Sequence, residues 1–412
     1  MNYIVFFRNN PRILLYGVLL VFFSSFGQTF IVSLYIPSFL ESFGISSSFF
    51  SALYAGATLL SASTLVFIGK KIDHIPLKRF TLFVIAGIMA ACLLTAISGH
   101  VVLLFFGIYS LRLFGQGLLS HTALTTMSRY FKKARGKALG IAYLGFPLGE
   151  SIFPILVAAG IALLGWRETL LVSASLVVLV LLPLSLTFLR GFSRANIKEE
   201  HVPDTMPDNA PEESEKSWTQ RSVLGSAWFY LIAPTVFLVG FLQTALFFFQ
   251  TFIAEFKTWT TEWMAGSIIA YAISSSLTSV ASGPLIDRVG ARKIFPFVLI
   301  PLAMGVLLLS LGSHPVLAPL YWLLVGFTGG INAPVTSALY AEIFGTRSLG
   351  AVRSIFTFVM VVSTALGPLV YSFFLDRGFH FDQIHYGVIV VIIINMLYIR
   401  LSYQRHFSRT KP

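Results

Sequence analysis

The stretch Gly69-Lys-Lys-Ile-Asp73-His74-Ile-Pro76-Leu-Lys78-Arg79 returns, altered, as Gly283-Pro-Leu-Ile-Asp287-Arg288-Val-Gly290-Ala-Arg292-Lys293. The copies lie 214 residues apart in a chain of 412, so the second begins about half a protein after the first. Each is a short polar loop between two long apolar runs. Loop and flanks together are the repeated unit, and the chain reads as two similar halves.

Composition says where such halves reside. Apolar residues make up 56% of the chain and charged residues only 11%, with a mean hydropathy of +0.81. A water-soluble chain carries about 25% charged residues. Runs of about 20 apolar residues, enough to cross a bilayer, recur along the whole length. The net charge of +12 does not indicate nucleic acid, because Lys and Arg fall between apolar runs and not along one polar face. The single cysteine, Cys92, lies inside an apolar run. It has no partner for a disulfide, and a metal site needs several such ligands, so it reads as a small buried side chain. The basic N-terminus leads into an apolar run without a small-residue cleavage pattern and reads as a retained first helix.

Twelve spans can be marked, at roughly 13–36, 47–68, 80–98, 101–126, 138–163, 169–189, 226–250, 263–286, 294–312, 316–341, 350–374 and 384–401. Backbone in lipid must satisfy its own hydrogen bonds, and the runs are continuous and not alternating, so each is a helix and not a barrel strand. The expected fold is all-α, with two pseudo-symmetric six-helix bundles at 1–190 and 225–412 and a connecting segment at 191–224. That segment carries Glu199, Glu200, Asp204, Asp208, Glu212, Glu213 and Glu215 with few apolar residues. It reads as a tether, with a docking role as the alternative. With the N-terminus inside, 25 Lys and Arg fall on inner segments and three, Arg167, Lys257 and Arg377, on outer loops. The positive-inside rule then places both termini in the cytoplasm.

The repeat continues past the loops. Spans four and ten are followed by Tyr130-Phe131 and Phe344-Gly345, and spans five and eleven carry Gly145-Phe146-Pro147 and Gly367-Pro368. Glycine lets a neighbouring helix approach closely and proline bends its own helix.

These residues resemble the major facilitator superfamily over nearly the whole chain. The second loop is similar to that superfamily's G-x-x-x-D-R-x-G-x-R-K signature, whereas the first has His74 for Arg and Pro76 for Gly. Arg112 with Gln116-Gly117 resembles its fourth-helix pattern, and 128–142 is similar to a loop of the monocarboxylate and oxalate–formate branches. The resemblance implies a twelve-helix major facilitator fold and secondary transport by alternating access. It makes Gly69, Asp73, Gly283, Asp287 and Arg288 gate residues, the glycines for close helix contact and the carboxylates for capping helix ends and pairing with Arg; a positively charged turn that only sets topology is the alternative. Arg353, near the cytoplasmic start of span eleven, reads as a gate partner for Asp73 or Glu342, with an interfacial anchor as the alternative.

Within the spans, Arg112 lies about 11 residues deep, or roughly 16 Å, near the middle of the core. A guanidinium facing lipid there costs at least about 2.5–3.5 kcal/mol, so it must face a cavity or a partner. Glu150, about 13 residues into span five, lies at a similar depth and is the expected partner. Together they read as a proton-coupling pair, with a static ion pair as the alternative. Arg112, Gln28, Gln116, Gln243, Tyr143, Tyr271 and Asn332 are candidates for substrate contact, set against ordinary interhelical bonding. His121 reads as hydrogen-bonded structure. No P-loop, G-x-S-x-G or H-E-x-x-H is present, so neither ATP nor an enzyme site is indicated.

The expectation is a proton-coupled transporter of a small organic solute, an anion such as a carboxylate, working as a monomer in a bacterial inner membrane. Its partners are substrate, protons and the lipid bilayer; no metal, cofactor or nucleic acid is involved. The alternative is a proton-driven drug or metabolite efflux pump.

Overall fold

The computed structural model describes residues 3–131, 135–191, 218–345 and 349–407. Most of the acidic connecting segment and the side chains of Asp73, Asp287 and Arg353 lie outside that description. The secondary structure among the described residues is helical, with short turns and without strands.

Twelve helices have membrane length. In the first half α1 is the pair Pro11–Gly27 and Thr29–Phe43, bent by 43°, and α2 is Ser47–Gly69. Next come α3 (Leu77–Ala96), α4 (Val101–Met127), α5 (Ala138–Leu164) and α6 (Trp166–Phe188). In the second half α7 is Ala227–Phe248 and α8 is Thr261–Val289. They are followed by α9 (Ala291–Ser310), α10 (Leu317–Phe344), α11 (Leu349–Leu375) and α12 (Phe381–Phe407). Ten pass as apolar spans on their own and α1 joins them as a bent pair. The twelfth, α10, has 28 residues, with Thr328, Gly329, Gly330 and Asn332 breaking its apolar run.

The chain divides into two compact units, Met1–Asp208 and Asn209–Pro412. Residues 218–224, which the sequence reading places in the connecting segment, belong to the core of the second. A short helix at Gln220–Leu224 starts with a Thr219–Ser222 capping box. Val223 is fully buried, and the Trp218 ring meets Phe344 edge-on.

Several helix ends follow from local chemistry. Ser226 and Thr260 accept the backbone N–H groups of Phe229 and Trp263, starting α7 and α8. Gly290 ends α8 at φ +86°, a conformation that L side chains rarely adopt. The first repeat has Pro76 there, at φ −52°, so a 3-10 turn at Lys70–Asp73 and an extended residue lead into α3 instead.

Glycines set how closely the helices pack. In the first unit a methyl group at Gly145 would lie 2.7 Å from Phe22 N, and one at Gly149 3.1 Å from Phe22 O, so α5 seats directly on the backbone of α1. Phe153 closes that contact against Phe22, Phe23 and Phe26. In the second unit Gly367 of α11 faces the Phe241 backbone of α7, where a methyl would lie 3.2 Å from the carbonyl carbon. Gly326 and Gly330 of α10 face Tyr271 and Ser275 of α8 in the same way. Where prolines interrupt the start of α9, Thr328 repairs the ladder: its hydroxyl donates to Val298 O and accepts from Leu302 N.

Candidate functional site

In the first unit the site is built on the break in α1. Residues Ser24–Gly27 form a 3-10 turn and Gln28 is extended, at φ −80° and ψ 153°. Ile31 N and Val32 N both bond to Gln28 O, so the carbonyl of Gly27 is left to another partner. Arg112 of α4 supplies it. Its Nη1 donates to Gly27 O at 3.1 Å and lies 3.2 Å from Thr29 Oγ1. The Thr29 hydroxyl is 2.7 Å from the Tyr54 hydroxyl of α2, and the guanidinium lies 5.0 Å from the centre of the Tyr54 ring.

Arg112 reaches α1 because the helices touch. A methyl at Gly115 would lie 2.6 Å from Gly27 N. Residues Leu111–Leu119 are wound as π-helix, a local widening that often marks functional sites. Arg112 is 2% exposed, and its Nε has no hydrogen-bond partner among the described residues.

The expected pairing with Glu150 is not formed. Glu150 is half-buried on α5 and makes no hydrogen bond or ion pair among the described residues. The physical reason is that α1 takes the small-residue contacts of both α4 and α5. Gln28 and Gln116 are half-buried beside the Arg112 cluster, while Tyr143 is exposed next to Phe146.

In the second unit two of the sequence candidates, Gln243 and Tyr271, meet at Gly329, and a third, Asn332, lies on the same helix. At Gly329 of α10 a methyl would lie 2.7 Å from the Tyr271 hydroxyl and 3.0 Å from Gln243 Nε2. Asn332 follows three residues along the same helix. Gln243 Nε2 and Asn332 Oδ1 are buried atoms without hydrogen-bond partners among the described residues. Phe247 stacks on Trp322 and meets Tyr271 edge-on, giving these polar groups an aromatic floor. Gln28 and Gln243, matched by the repeat, differ in backbone: one is the break in its helix, the other lies inside a continuous one.

The two signature loops are held differently. In the first, His121 Nε2–H donates to Gly69 O at 3.2 Å and Arg129 Nη1 donates to Ile72 O at 3.2 Å, so α4 ties the end of α2. In the second, Glu342 of α10 accepts from Ala291 N at 2.9 Å and Arg292 N at 3.3 Å, and its carbonyl also accepts from the Arg292 side chain. Glu342 thus caps α9, a role the sequence reading did not assign. Gly69 lies against His121, as a close-contact glycine should. Gly283 does not: a methyl there would meet nothing within 4 Å. Arg288 is exposed and makes no described contact.

The family model described as the Major Facilitator Superfamily matches residues 17–270 and 260–411. The chain belongs to that superfamily. Two matched copies on one chain agree with the repeat that opens the sequence. A superfamily member of Aspergillus flavus, MFS transporter asaE, is 24% identical over 315 residues, 72% of this chain and 64% of that protein. Monocarboxylate transporter 9 of Mus musculus is 26% identical over 197 residues, 47% and 38% of the two chains. A multidrug resistance protein B homolog of Mycobacterium tuberculosis is 26% identical over 121 residues, 29% and 22%. The matched stretches thus span less than two thirds of each relative's own length.

Solved superfamily-like structures agree with the fold. The nucleoside transporter NupG superposes with a TM-score of 0.73 at 12% identity, covering 95% of this chain and 99% of that one. A bacterial homolog of the human lysosomal transporter Spinster superposes at 0.67 and 12%, covering 95% of each. Family and fold are those of transporters and not of enzymes.

Proposed function

We propose that this chain is a secondary active transporter that moves a small organic anion of the carboxylate class by alternating access, coupled to protons. The observation that carries the reading is the buried Arg112, with its Nε unbonded among the described residues. A cation kept at membrane depth is costly and is retained where it meets an anion or a coupling carboxylate. Glu150, half-buried and unpaired among the described residues, is the proton carrier. Gln243, Tyr271 and Asn332 supply hydrogen bonds to the solute, with Gln28 and Gln116 near the arginine. The halves 1–190 and 225–412 move against each other, and the acidic segment between them is a tether. The protein works as a monomer with both termini in the cytoplasm of a bacterium. The likeness to a monocarboxylate transporter supports the substrate class.

The test is uptake of labelled lactate, pyruvate and acetate into liposomes containing the purified chain. Arg112→Gln should abolish uptake of whichever acid is carried. Unchanged uptake in that variant would remove the reading's basis.

A second reading, proton-driven efflux of drugs or metabolites, draws support from the multidrug resistance relative and from the aromatic cluster around Phe153. Sensitisation of a deletion strain to lipophilic cations, with no carboxylate flux in liposomes, would favour it.

A further inference from the structure

A cavity of about 730 Å³ opens in the second unit, where α8 ends, α9 begins and α12 nears its end. It differs in kind from the polar groups on α7, α8 and α10. Its walls are apolar: Phe297 and Leu397 line it and are 54% and 53% exposed. Three cations, Arg292, Lys293 and Arg400, stand at it with a single carboxylate, Glu342.

The charges are not balanced locally. Glu342 is committed to the backbone of Ala291 and Arg292 and lies 3.6 Å from Arg292 Nε. Arg292 is therefore engaged, and its guanidinium also lies 5.9 Å from the Trp228 ring. Lys293 and Arg400 are exposed and make no hydrogen bond or ion pair among the described residues. Above them α12 continues the apolar wall, with Val390, Ile393, Ile394 and Leu397 exposed at helical spacing. Two free cations at the end of an apolar groove fit an anion with hydrocarbon attached.

We propose that this groove binds one anionic phospholipid. Its phosphate lies between Lys293 and Arg400, and an acyl chain runs along Phe297 and the exposed face of α12. The charge complementarity selects the headgroup: basic pockets between membrane helices bind anionic headgroups, and each Lys or Arg near an anionic membrane surface contributes about 1 kcal/mol. The apolar walls select a lipid over a free phosphate. Glu342 makes the site part of the second signature loop, so an occupied groove fastens α9 and α12 to the end of α8.

The experiment uses the purified full chain in neutral detergent, its unfolding midpoint followed while phosphatidylglycerol, phosphatidylcholine or inorganic phosphate is titrated. Phosphatidylglycerol should raise the midpoint of the wild type, and the other two should not. In Lys293→Gln/Arg400→Gln the apparent affinity for phosphatidylglycerol should fall about thirtyfold. Lys293→Arg/Arg400→Lys should retain it. Lys78→Gln/Arg79→Gln, which removes the same charge from the first unit, should leave it unchanged. Equal affinity in Lys293→Gln/Arg400→Gln and wild type would overturn the proposal. So would an equal response to phosphatidylcholine, or a response to inorganic phosphate alone, which would mark a bare anion site.

Discussion

Arg112 Nη1 lies 3.1 Å from the carbonyl oxygen of Gly27. That bond joins a buried cation on α4 to a carbonyl that α1 sets free by breaking at Gln28. Neither group is affordable alone in lipid: the arginine needs acceptors, and the carbonyl needs a donor. The break in one helix and the charge on the other therefore stabilise a single arrangement.

The first prediction concerns that bond. Arg112→Ala leaves Gly27 O buried and unbonded, at a cost of about 1–3 kcal/mol. Arg112→Lys should recover only part of it, because Nη1 alone meets both Gly27 O and Thr29 Oγ1, and a compact, more strongly hydrated ammonium on a different stem does not reproduce the position of that nitrogen or the guanidinium's contact with the Tyr54 ring. Cys92, the only cysteine, is fully buried. The temperature at which it becomes reactive to a fluorogenic thiol reagent measures both losses.

Backbone contact predicts a contrast among glycines. Gly115→Ala places a methyl 2.6 Å from Gly27 N and should destabilise by about 1–3 kcal/mol through overpacking. Gly387→Ala lies in α12 with nothing within 4 Å and should stabilise by about 0.5–1 kcal/mol through helix propensity. Thermal unfolding of the two variants should move in opposite directions.

Glu342 caps α9 from another helix. Glu342→Ala removes both carboxylate acceptors and should cost about 0.5–2 kcal/mol. Glu342→Gln keeps one acceptor oxygen and should cost less. Slowed or unchanged amide exchange at Ala291 and Arg292 in Glu342→Ala would contradict the capping role; faster exchange is expected.

The ion pair between Lys257 and Asp382, at 2.9 Å, joins the C-terminal end of the short helix Gln250–Phe256, which follows α7, to the start of α12. The lysine side chain is 3% exposed and the aspartate 29%, so the pair is screened on one side only. A double-mutant cycle with Lys257→Met and Asp382→Asn should give a coupling of about 1–2 kcal/mol. A coupling near zero would assign the lysine's stabilising role to packing.

Much of the fold was legible because lipid leaves few choices. Length and hydropathy marked all twelve helices, and Gly145 and Gly367 announced the close contacts that they make. The break in α1 was harder to read. Hydropathy ends span one near residue 36, whereas the helix resumes after Gln28 and runs to Phe43. The sign was Ser24-Ser25-Phe26-Gly27-Gln28-Thr29, a polar run in an apolar span, with no proline to flag it. The Arg112 pairing was misjudged for a related reason. Adjacency along the chain favoured Glu150 on the next helix, but which helix lies against which depends on tertiary packing, and α1 presented a free carbonyl. Gly69 and Gly283 matched in sequence yet differ in surroundings, since His121 in α4 meets only the first. In the second unit Gln243 and Tyr271 were legible as polar residues at depth; Gly329, which makes room for them, carries no side chain to notice.

The central claim is that the half-buried Glu150 loads a proton that drives solute movement. The most direct measurement is acid-driven uptake of labelled lactate, pyruvate and acetate into liposomes by wild type and Glu150→Gln, alongside exchange of the same acids without a pH gradient. The account predicts that Glu150→Gln loses gradient-driven accumulation while retaining exchange. Full accumulation in Glu150→Gln, or no flux of any carboxylate by the wild type, would contradict it.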